Sequence, residues 1–320
     1  MYVQLTIFLV ACWGWGQTVL KWHYAALPTR APLSTSLGMG VVICALQALA
    51  ILGQLVPIAV LAVLGVGVCL AVGYGLRLLS SVRADATESR IGFQRSKAEQ
   101  FILALLALFL LPLVVVPLGP PLAWDELMYH LPHAREWALS GKLQVNAWLR
   151  YPWFPYNFDL LFAAALMLDN DVLPHLLHAA TGAITAWLIY RLGVQHLRDR
   201  AAAGLAALIW VLLSRSLYGW AYVDMSVAMF ILTACVALQE WHTSGACLVS
   251  RDRRWAFVCA FMVGVAAGVK YQVLALLPLF ALVLAWHDRR PATWLGVVFF
   301  LCLPCLYWYV RNAVMTGDPF

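Results

Sequence analysis

Charged residues are scarce in this chain. Asp, Glu, Lys and Arg make up 11% of its 320 residues, whereas soluble domains carry roughly 25%. So low a charge content excludes a soluble domain, which would have no polar surface left to cover its core. The 63% of hydrophobic and 13% of aromatic residues exclude an intrinsically disordered, collagen-like or coiled-coil chain. The composition predicts an all-α protein, a polytopic bundle of transmembrane helices.

Several motifs that mark soluble enzymes are also missing. The sequence has no Gly-rich phosphate-binding loop and no H-E-x-x-H zinc motif, and its basic loops are too short for nucleic-acid binding. Its eight cysteines fall almost entirely in apolar runs and form no disulfide framework. Cys302 and Cys305 form a C-x-x-C pair without neighbouring His, which favours helix packing over a redox or zinc site.

Uncharged runs set the number of membrane spans, because a helix needs about 20 residues to cross the hydrocarbon core. We predict ten spans, of which the run 201–214 is short and needs flanking Arg200 or Arg215 as snorkelling ends. The first run lacks a basic leader and a cleavage site, so we expect a retained span rather than a signal peptide. The ten runs are 1–20, two within 31–76 hinged near 53–57, 100–124, 172–190, 201–214, 225–239, 255–269, 271–286 and 291–310.

The distribution of cations predicts the orientation of the bundle. Of the 21 Lys and Arg residues, most fall in one set of alternating loops, which the positive-inside rule places in the cytoplasm. The N-terminus is then expected outside. The cations of the opposite, outer side are Arg135, Lys142, Arg150, Arg215, Lys270 and Arg311.

One outer loop is far longer than the others. It divides the chain into a four-span region (1–118), the loop itself (119–171) and a six-span region (172–320). Apolar residues at three- and four-residue spacing predict interfacial helix over 124–140, broken into two short helices at Pro132. The aromatic strip 148–158 favours a headgroup-level belt, with stacking on a sugar ring as the alternative.

Two adjacent acids, Asp125 and Glu126, begin this loop helix directly after an uncharged run. Capping explains one carboxylate, since acids suit the positive end of a helix dipole. Adjacent helical residues project about 100° apart. One acid can therefore cap the helix or bind a cation while the other faces a cavity.

Three of the outer cations, Arg215, Lys270 and Arg311, stand at or near span ends, where an anion should face them. Lys270 follows small residues in the stretch 264–272, which allow close backbone approach, and a membrane-level phosphate would satisfy it. The outer side also carries the pairs His130–His133 and His175–His178. Packing explains them better than zinc does, although a divalent cation is compatible with them.

Acids, membrane-level cations and a long aromatic loop suit transfer of a sugar from a lipid phosphate. The leaving phosphate is already a weak base, so cations can stabilise its charge and no general acid is obligatory. One carboxylate suffices as the base for the acceptor hydroxyl, and a single displacement inverts the anomeric carbon.

Three stretches resemble the GT-C class of polytopic glycosyltransferases, especially bacterial relatives of protein O-mannosyltransferases and aminoarabinose transferases. They are Trp124-Asp-Glu-Leu-Met-Tyr-His-Leu-Pro with the following Ala-Arg-Glu-Trp, Gly264-Val-Ala-Ala-Gly-Val-Lys-Tyr, and Tyr309-Val-Arg-Asn-Ala-Val-Met-Thr-Gly-Asp-Pro319. The resemblance covers roughly residues 120–320. Typical members carry the acidic loop after their first span rather than the fourth, and many continue well past the last motif, so we expect a short gene product or a truncated enzyme.

The resemblance implies an active site on the periplasmic side of a bacterial inner membrane. In this chain the catalytic acids would be Asp125 and Glu126, and a polyprenyl-phosphate sugar donor would be held by Lys270 and Arg311. Arg215 joins these cations by topology rather than by motif. The remaining substrate-binding candidates lie within the same stretches and are Tyr129, His130 and Tyr271. The acceptor would be a lipid, a glycan or a protein.

Two alternatives stay open. A transporter or flippase of a lipid-linked phosphate compound would use the same cations to grip phosphate. Its ionisable residues are expected at mid-bilayer, whereas here they cluster at the outer surface. The second alternative is a non-catalytic membrane scaffold subunit.

Overall fold

The computed structural model describes residues 1–21, 30–85, 96–244 and 252–320. Within these ranges all regular secondary structure is helical and no strand occurs. The thirteen α-helices are α1 (Tyr2–Val19), α2 (Arg30–Ile51), α3 (Pro57–Asp85), α4 (Lys97–Leu110), α5 (Pro112–Val115), α6 (Leu131–Ser140), α7 (Asp159–Leu168), α8 (Val172–Leu197), α9 (Arg200–Ser214), α10 (Asp224–Ser244), α11 (Arg254–Ala267), α12 (Leu277–His287) and α13 (Pro291–Thr316). Part of the cationic loops on which the predicted orientation rests falls in 22–29, 86–95 and 245–251, outside the described residues.

Seven helices of the described chain are long and apolar enough to cross a membrane. They indicate an integral, multi-pass membrane protein. Each of the other three predicted spans also contains a helix, namely α1, the 14-residue α11, and the shorter apolar segment Tyr271–Trp286. The count of ten spans and their orientation stay predictions. The seven segments are Arg30–Ile51, Pro57–Arg77, Lys97–Leu118, Val172–Leu197, Arg200–Leu217, Asp224–Thr243 and Pro291–Thr316.

Local sequence signals account for several helix ends. The Ser96 hydroxyl accepts a hydrogen bond from the Glu99 amide at the start of α4, at 3.0 Å. The Asp199 carboxylate accepts from the first amides of α9. The hinge predicted between α2 and α3 is confirmed, because α2 ends at Ile51, Gly53 takes a positive φ of 70°, and Pro57 begins α3.

The bundle is built around the short helix α7. Leu160, Leu161 and Phe162 of this helix are fully buried, and α7 packs against α2, α3, α6 and α8. The helices α10, α11 and α13 pack in sequence on one another and each contacts α2, while α1 packs on α2 and α3. By contrast, only 11% of the Lys97–Leu118 window is buried, so that segment presents its apolar surface outward, as a lipid-facing helix does.

Close approach of α11 and α13 depends on Gly264. A Cβ atom at this position would lie 2.1 Å from the carbonyl oxygen of Leu301 and 2.9 Å from a ring carbon of Pro304. The prediction that small residues before Lys270 allow close backbone approach is therefore confirmed. Helix pairs in membranes associate through such van der Waals contact, because lipid offers no hydrophobic driving force between helices.

The cysteines behave as the sequence predicts. All seven that lie in the described chain are free. Cys305 is buried, and its thiol donates to the Leu301 carbonyl within α13. Cys302 and Cys305 are thus packing residues of one helix.

Candidate functional site

The loop helix starts with a π-helical turn. Residues Glu126–His130 form the π-helix, and α6 follows directly from Leu131 with Pro132 in its first turn. Pro132 has no N–H and cannot make the α-helical bond back to residue 128, so the helix geometry changes there. The interruption predicted at Pro132 is present as this change of helix type. Single π-turns of this kind are frequent at functional sites.

Glu126 is completely buried and caps this turn. Its Oε1 accepts hydrogen bonds from the amides of Leu122 at 2.5 Å and Ala123 at 2.6 Å. Its Oε2 accepts from the Ala221 amide at 2.7 Å and lies 3.0 Å from Nε2 of His175. Of the two adjacent acids it is thus Glu126 that satisfies the orphan amides of the helix start.

The electrostatics of Glu126 favour a permanent anion. Burial alone raises the pKa of its carboxyl, but the hydrogen bonds from His175 and from the Ala221 and Ala123 amides outweigh burial, and the pKa falls below its ordinary value. The second nitrogen of His175, Nδ1, lies 3.2 Å from the Pro117 carbonyl. Both ring nitrogens of His175 thus face oxygen acceptors, which fixes the orientation of the ring beside Glu126.

Asp125 is half-buried and makes no capping hydrogen bond with its side chain. Its amide donates to the Tyr222 hydroxyl at 3.3 Å, and the Tyr129 hydroxyl lies near its carboxylate. Burial first, and then the neighbouring Asp125, raise the pKa of Tyr129 above its ordinary value. The phenol therefore stays protonated. Glu126 is thus the acid that caps, as the sequence predicts of one member of the pair, and the Asp125 side chain takes no part in capping.

Lys270 forms an ion pair with a third acid, Asp224. Its Nζ is 2.6 Å from Oδ1 of Asp224, the first residue of α10, and the two side chains are 29% and 44% exposed. Asp224 is separated by one residue from Tyr222, which contacts Asp125. The residues Asp125, Tyr129, Tyr222, Asp224 and Lys270 are called the Asp125 cluster below.

Asn157 fixes the segment that carries Lys270. Its amide donates to the Gly268 carbonyl at 2.7 Å, and its side-chain Nδ2 donates to the carbonyls of Val265 and Pro304. Its Oδ1 accepts from the Trp308 indole at 2.7 Å. A Cβ at Gly268 would lie 2.1 Å from Asn157 Nδ2, so only glycine fits there. Lys270 is therefore held at a defined place between α11 and α12.

Arg311 of α13 is 9% exposed and lies on the aromatic strip. Its guanidinium stacks over Trp308 at 5.0 Å and Trp153 at 5.8 Å, and it donates to the Phe154 carbonyl and to Oδ1 of Asn312. Within the described chain no carboxylate is within ion-pair distance, and Nη1 has no hydrogen-bond partner. A buried cation in this state is suited to receive an anion.

Aromatic rings link Arg311 to the Asp125 cluster. Phe154 stacks on Tyr151 at 4.6 Å and meets the edges of Tyr271 at 5.3 Å and Tyr129 at 6.2 Å. Tyr156 and Phe158 are almost fully buried, whereas Trp148 is 74% exposed. The strip 148–158 thus packs mainly against the loop helix, and of these residues Trp148 has the exposure expected of a headgroup-level belt.

The histidines of the two predicted pairs have separate partners. His130 Nδ1 lies 2.7 Å from Oδ1 of Asp159, and His133 Nε2 lies 3.0 Å from the Arg150 carbonyl. His178 Nδ1 lies 2.8 Å from the Trp220 carbonyl. In the described ranges, no three His, Cys, Asp or Glu side chains form a group able to hold a metal ion.

Most of the candidate residues lie around one cluster, and one does not. Asp125, Tyr129, Lys270, Tyr271 and Arg311 are connected by direct contacts or by shared aromatic neighbours, and His130 lies against Tyr129 at 4.3 Å between ring centres. Arg215 is exposed in a short 3-10 turn after α9, and no hydrogen bond or ion pair within the described chain joins it to the cluster.

The sequence analysis did not identify Asp159, Asp224 and Asn157 as site residues. Each lies at the junction of a loop and an apolar helix, where a polar residue is typical of any helix N-terminus. A usable signal existed for Asn157 and Asp159, because two polar side chains directly precede the apolar run 160–168. Such residues are buried only if something pairs with them.

Comparison with known proteins gives little further information. An uncharacterised protein of Shigella flexneri is 27% identical over 132 residues, which span 41% of this chain and 66% of that protein. No family model matches the chain, and no solved structure matches it.

Proposed function

We propose that the protein is a membrane glycosyltransferase of the GT-C type. It moves a sugar from a polyprenyl-phosphate donor to a hydroxyl of a lipid, glycan or protein acceptor, on the non-cytoplasmic side of a bacterial inner membrane. The observation that carries the proposal is the combination of a half-buried carboxylate, Asp125, with two cations suited to phosphate, Lys270 and Arg311, around one aromatic-lined loop.

Asp125 serves as the base. Its carboxylate lies near the Tyr129 hydroxyl and takes no part in helix capping, because Glu126 makes those bonds. The acceptor oxygen attacks the anomeric carbon while Asp125 takes the hydroxyl proton, and the bond from that carbon to the phosphate oxygen breaks. A single displacement inverts the configuration. Glu126 acts by positioning this turn.

The cations stabilise the leaving phosphate. The donor phosphate competes with Asp224 for the Lys270 ammonium, and it meets the unpaired Nη1 of Arg311. Charge that develops on the phosphate is then balanced by fixed positive groups at the membrane surface, which lowers the barrier without a general acid. Exposed rings such as Tyr271 and Tyr151 offer flat faces for the sugar.

Incubation of the purified protein in nanodiscs with a panel of undecaprenyl-phosphate sugars tests this proposal. We expect release of free undecaprenyl phosphate that depends on an added acceptor, with an inverted anomeric product. A flippase would instead move the intact lipid across liposomes without cleaving it. Absence of release with every donor and acceptor of the panel would overturn the proposal.

A further inference from the structure

A second pair of titratable residues lies beside Asp125. Asp159, the first residue of α7, is fully buried, and its Oδ1 lies 2.7 Å from Nδ1 of His130, which is 4% exposed. The other carboxylate oxygen of Asp159, Oδ2, is buried without a hydrogen-bond partner in the described part of the chain. Leaving a carboxylate oxygen unpaired in the interior is costly, so packing alone is a poor explanation of this pair.

The histidine ring is oriented by this contact. Because Asp159 accepts from Nδ1–H, the neutral ring carries its lone pair on Nε2. Nε2 has no hydrogen-bond partner among the residues that the structure describes. His130 is thus a base with one nitrogen anchored by a buried anion and the other nitrogen available.

The available nitrogen belongs to a ring that adjoins the Asp125 cluster. The ring of His130 lies 4.3 Å from that of Tyr129 and 6.0 Å from that of Tyr222. Both tyrosines contact Asp125, one at its carboxylate and one at its amide. His130 and Asp125 therefore share the same two aromatic neighbours.

The other histidines do not have this arrangement. His133 meets a backbone carbonyl rather than a carboxylate, and both nitrogens of His175 and of His178 are engaged. Within the described chain, the pairing of an available nitrogen with a buried carboxylate is particular to His130. The titratable groups that surround it are Asp125, Glu126, Tyr129 and His133 on its own element, Asp159 on α7, Tyr156 in the aromatic strip, Tyr222 before α10 and His178 on α8.

We propose that His130 and Asp159 form a proton-accepting pair that returns Asp125 to its anionic state after each transfer. The inference rests on the proposed glycosyltransferase function. Once Asp125 has taken the acceptor proton, its O–H bond breaks and an N–H bond forms at Nε2 of His130, directly or through one water. The resulting imidazolium is stabilised by Asp159, and it releases the proton to bulk water. The sum is one proton from the acceptor hydroxyl to solvent, with both residues restored.

The proposed step predicts the direction of the pH effect. The pair accepts a proton only when His130 is neutral, so the transfer rate should fall at acidic pH. The Asp159 charge stabilises the imidazolium, so Asp159→Asn should move the acidic limb of the rate profile to lower pH.

Nuclear magnetic resonance of ¹³C-histidine protein in nanodiscs tests the pair without needing turnover. The His130 resonance, identified by its loss in His130→Gln, should respond to pH, and both Asp159→Asn and Asp125→Asn should move that response to lower pH. His133→Gln is the matched control, which should leave the response nearly unchanged. A His130 resonance that does not respond to pH, or that ignores either Asp substitution, overturns the inference.

The rate profile separates this inference from the proposed function. With a donor that the wild-type protein cleaves, His130→Gln should lower kcat on the order of 10²-fold and remove the acidic limb, while KM for the donor stays within about twofold, as expected when binding is untouched. If the wild type transfers the sugar but the acidic limb is the same in Asp159→Asn, the proton-accepting pair is contradicted and the proposed function is not. Absence of transfer by the wild type would sink the proposed function instead.

Discussion

The ammonium of Lys270 lies 2.6 Å from Oδ1 of Asp224, and both side chains are partly open to solvent. The pair joins the segment after α11 to the start of α10. Such partly exposed ion pairs contribute little to stability. This contact is therefore well suited to exchange, in which a phosphate replaces Asp224 at Lys270 when the donor arrives.

Asp224→Asn should strengthen binding of undecaprenyl phosphate by about fivefold, because an exposed pair is worth up to about 1 kcal/mol. Lys270→Gln should weaken it. Binding to nanodisc-embedded protein can be measured by native mass spectrometry. Asp171→Asn serves as the control, since this acid is on the same predicted side but makes no ion pair in the described chain. Equal affinities in wild type and Asp224→Asn would contradict the exchange.

Arg311→Lys should raise KM for the donor by about tenfold with a smaller effect on kcat, since lysine cannot reproduce the stacked, forked contacts of a guanidinium. Arg311 stacks on Trp308 and Trp153, and it donates to Phe154. Initial rates over a range of donor concentrations supply both parameters. The same substitution at exposed Arg215 should leave KM unchanged. A larger effect at Arg215 than at Arg311 would reverse our assignment of the phosphate contact.

Asn157→Ala should destabilise the fold by about 3 kcal/mol or more, because it leaves several buried donors and acceptors unpaired. Among them are the Trp308 indole and the Val265 and Pro304 carbonyls. Thermal unfolding in one detergent gives the comparison. Asn170→Ala is the matched control, since the Asn170 side chain caps an exposed turn. Similar losses of stability in the two variants would show that the Asn157 contacts stabilise the fold no more than the Asn170 contact does.

Glu126 should make the fold sensitive to acid. Its pKa is lowered in the folded protein, so its stabilising contribution is complete above the ordinary carboxyl value of about 4.3 and is lost as the pH falls through the lowered pKa. Melting temperatures recorded from neutral to strongly acidic pH should fall at the acidic end. At neutral pH, Glu126→Gln should have a lower melting temperature than wild type, which corresponds to about 2 kcal/mol of lost stability. Its melting temperature should also decline less steeply in acid. Parallel declines in both proteins would assign acid sensitivity to another group.

The helices were predictable to the extent that they depend on local composition. Uncharged runs locate the apolar helices except α7, which lies within the predicted outer loop, and the Gly53–Pro57 turn signal locates the break between α2 and α3. The number of helices that cross the membrane is harder to predict from sequence. The helix α11 has 14 residues, and tertiary packing determines how such a short apolar helix is placed in the membrane. Sequence spacing also suggested, correctly, that one member of the 125–126 pair would cap.

The pairings at the site were not predictable in the same way. His130 and Asp159 are 29 positions apart, and Lys270 and Asp224 are 46 apart. Nothing in local periodicity relates such positions. Glu126, at the start of the π-turn, is bonded to Ala221 in the loop before α10 and to His175 of α8. Tertiary contacts of this kind decide which acid is buried and which is left available.

Turnover by Asp125→Asn is the most direct test of the account. The variant should be compared with wild type and with Asp171→Asn in nanodiscs, using the undecaprenyl-phosphate sugar that the wild type cleaves fastest. We predict that release of undecaprenyl phosphate falls by about 10² to 10⁴-fold in Asp125→Asn, while binding of undecaprenyl phosphate stays within about twofold of wild type. Release at the wild-type rate by Asp125→Asn would contradict the role of this carboxylate as the base.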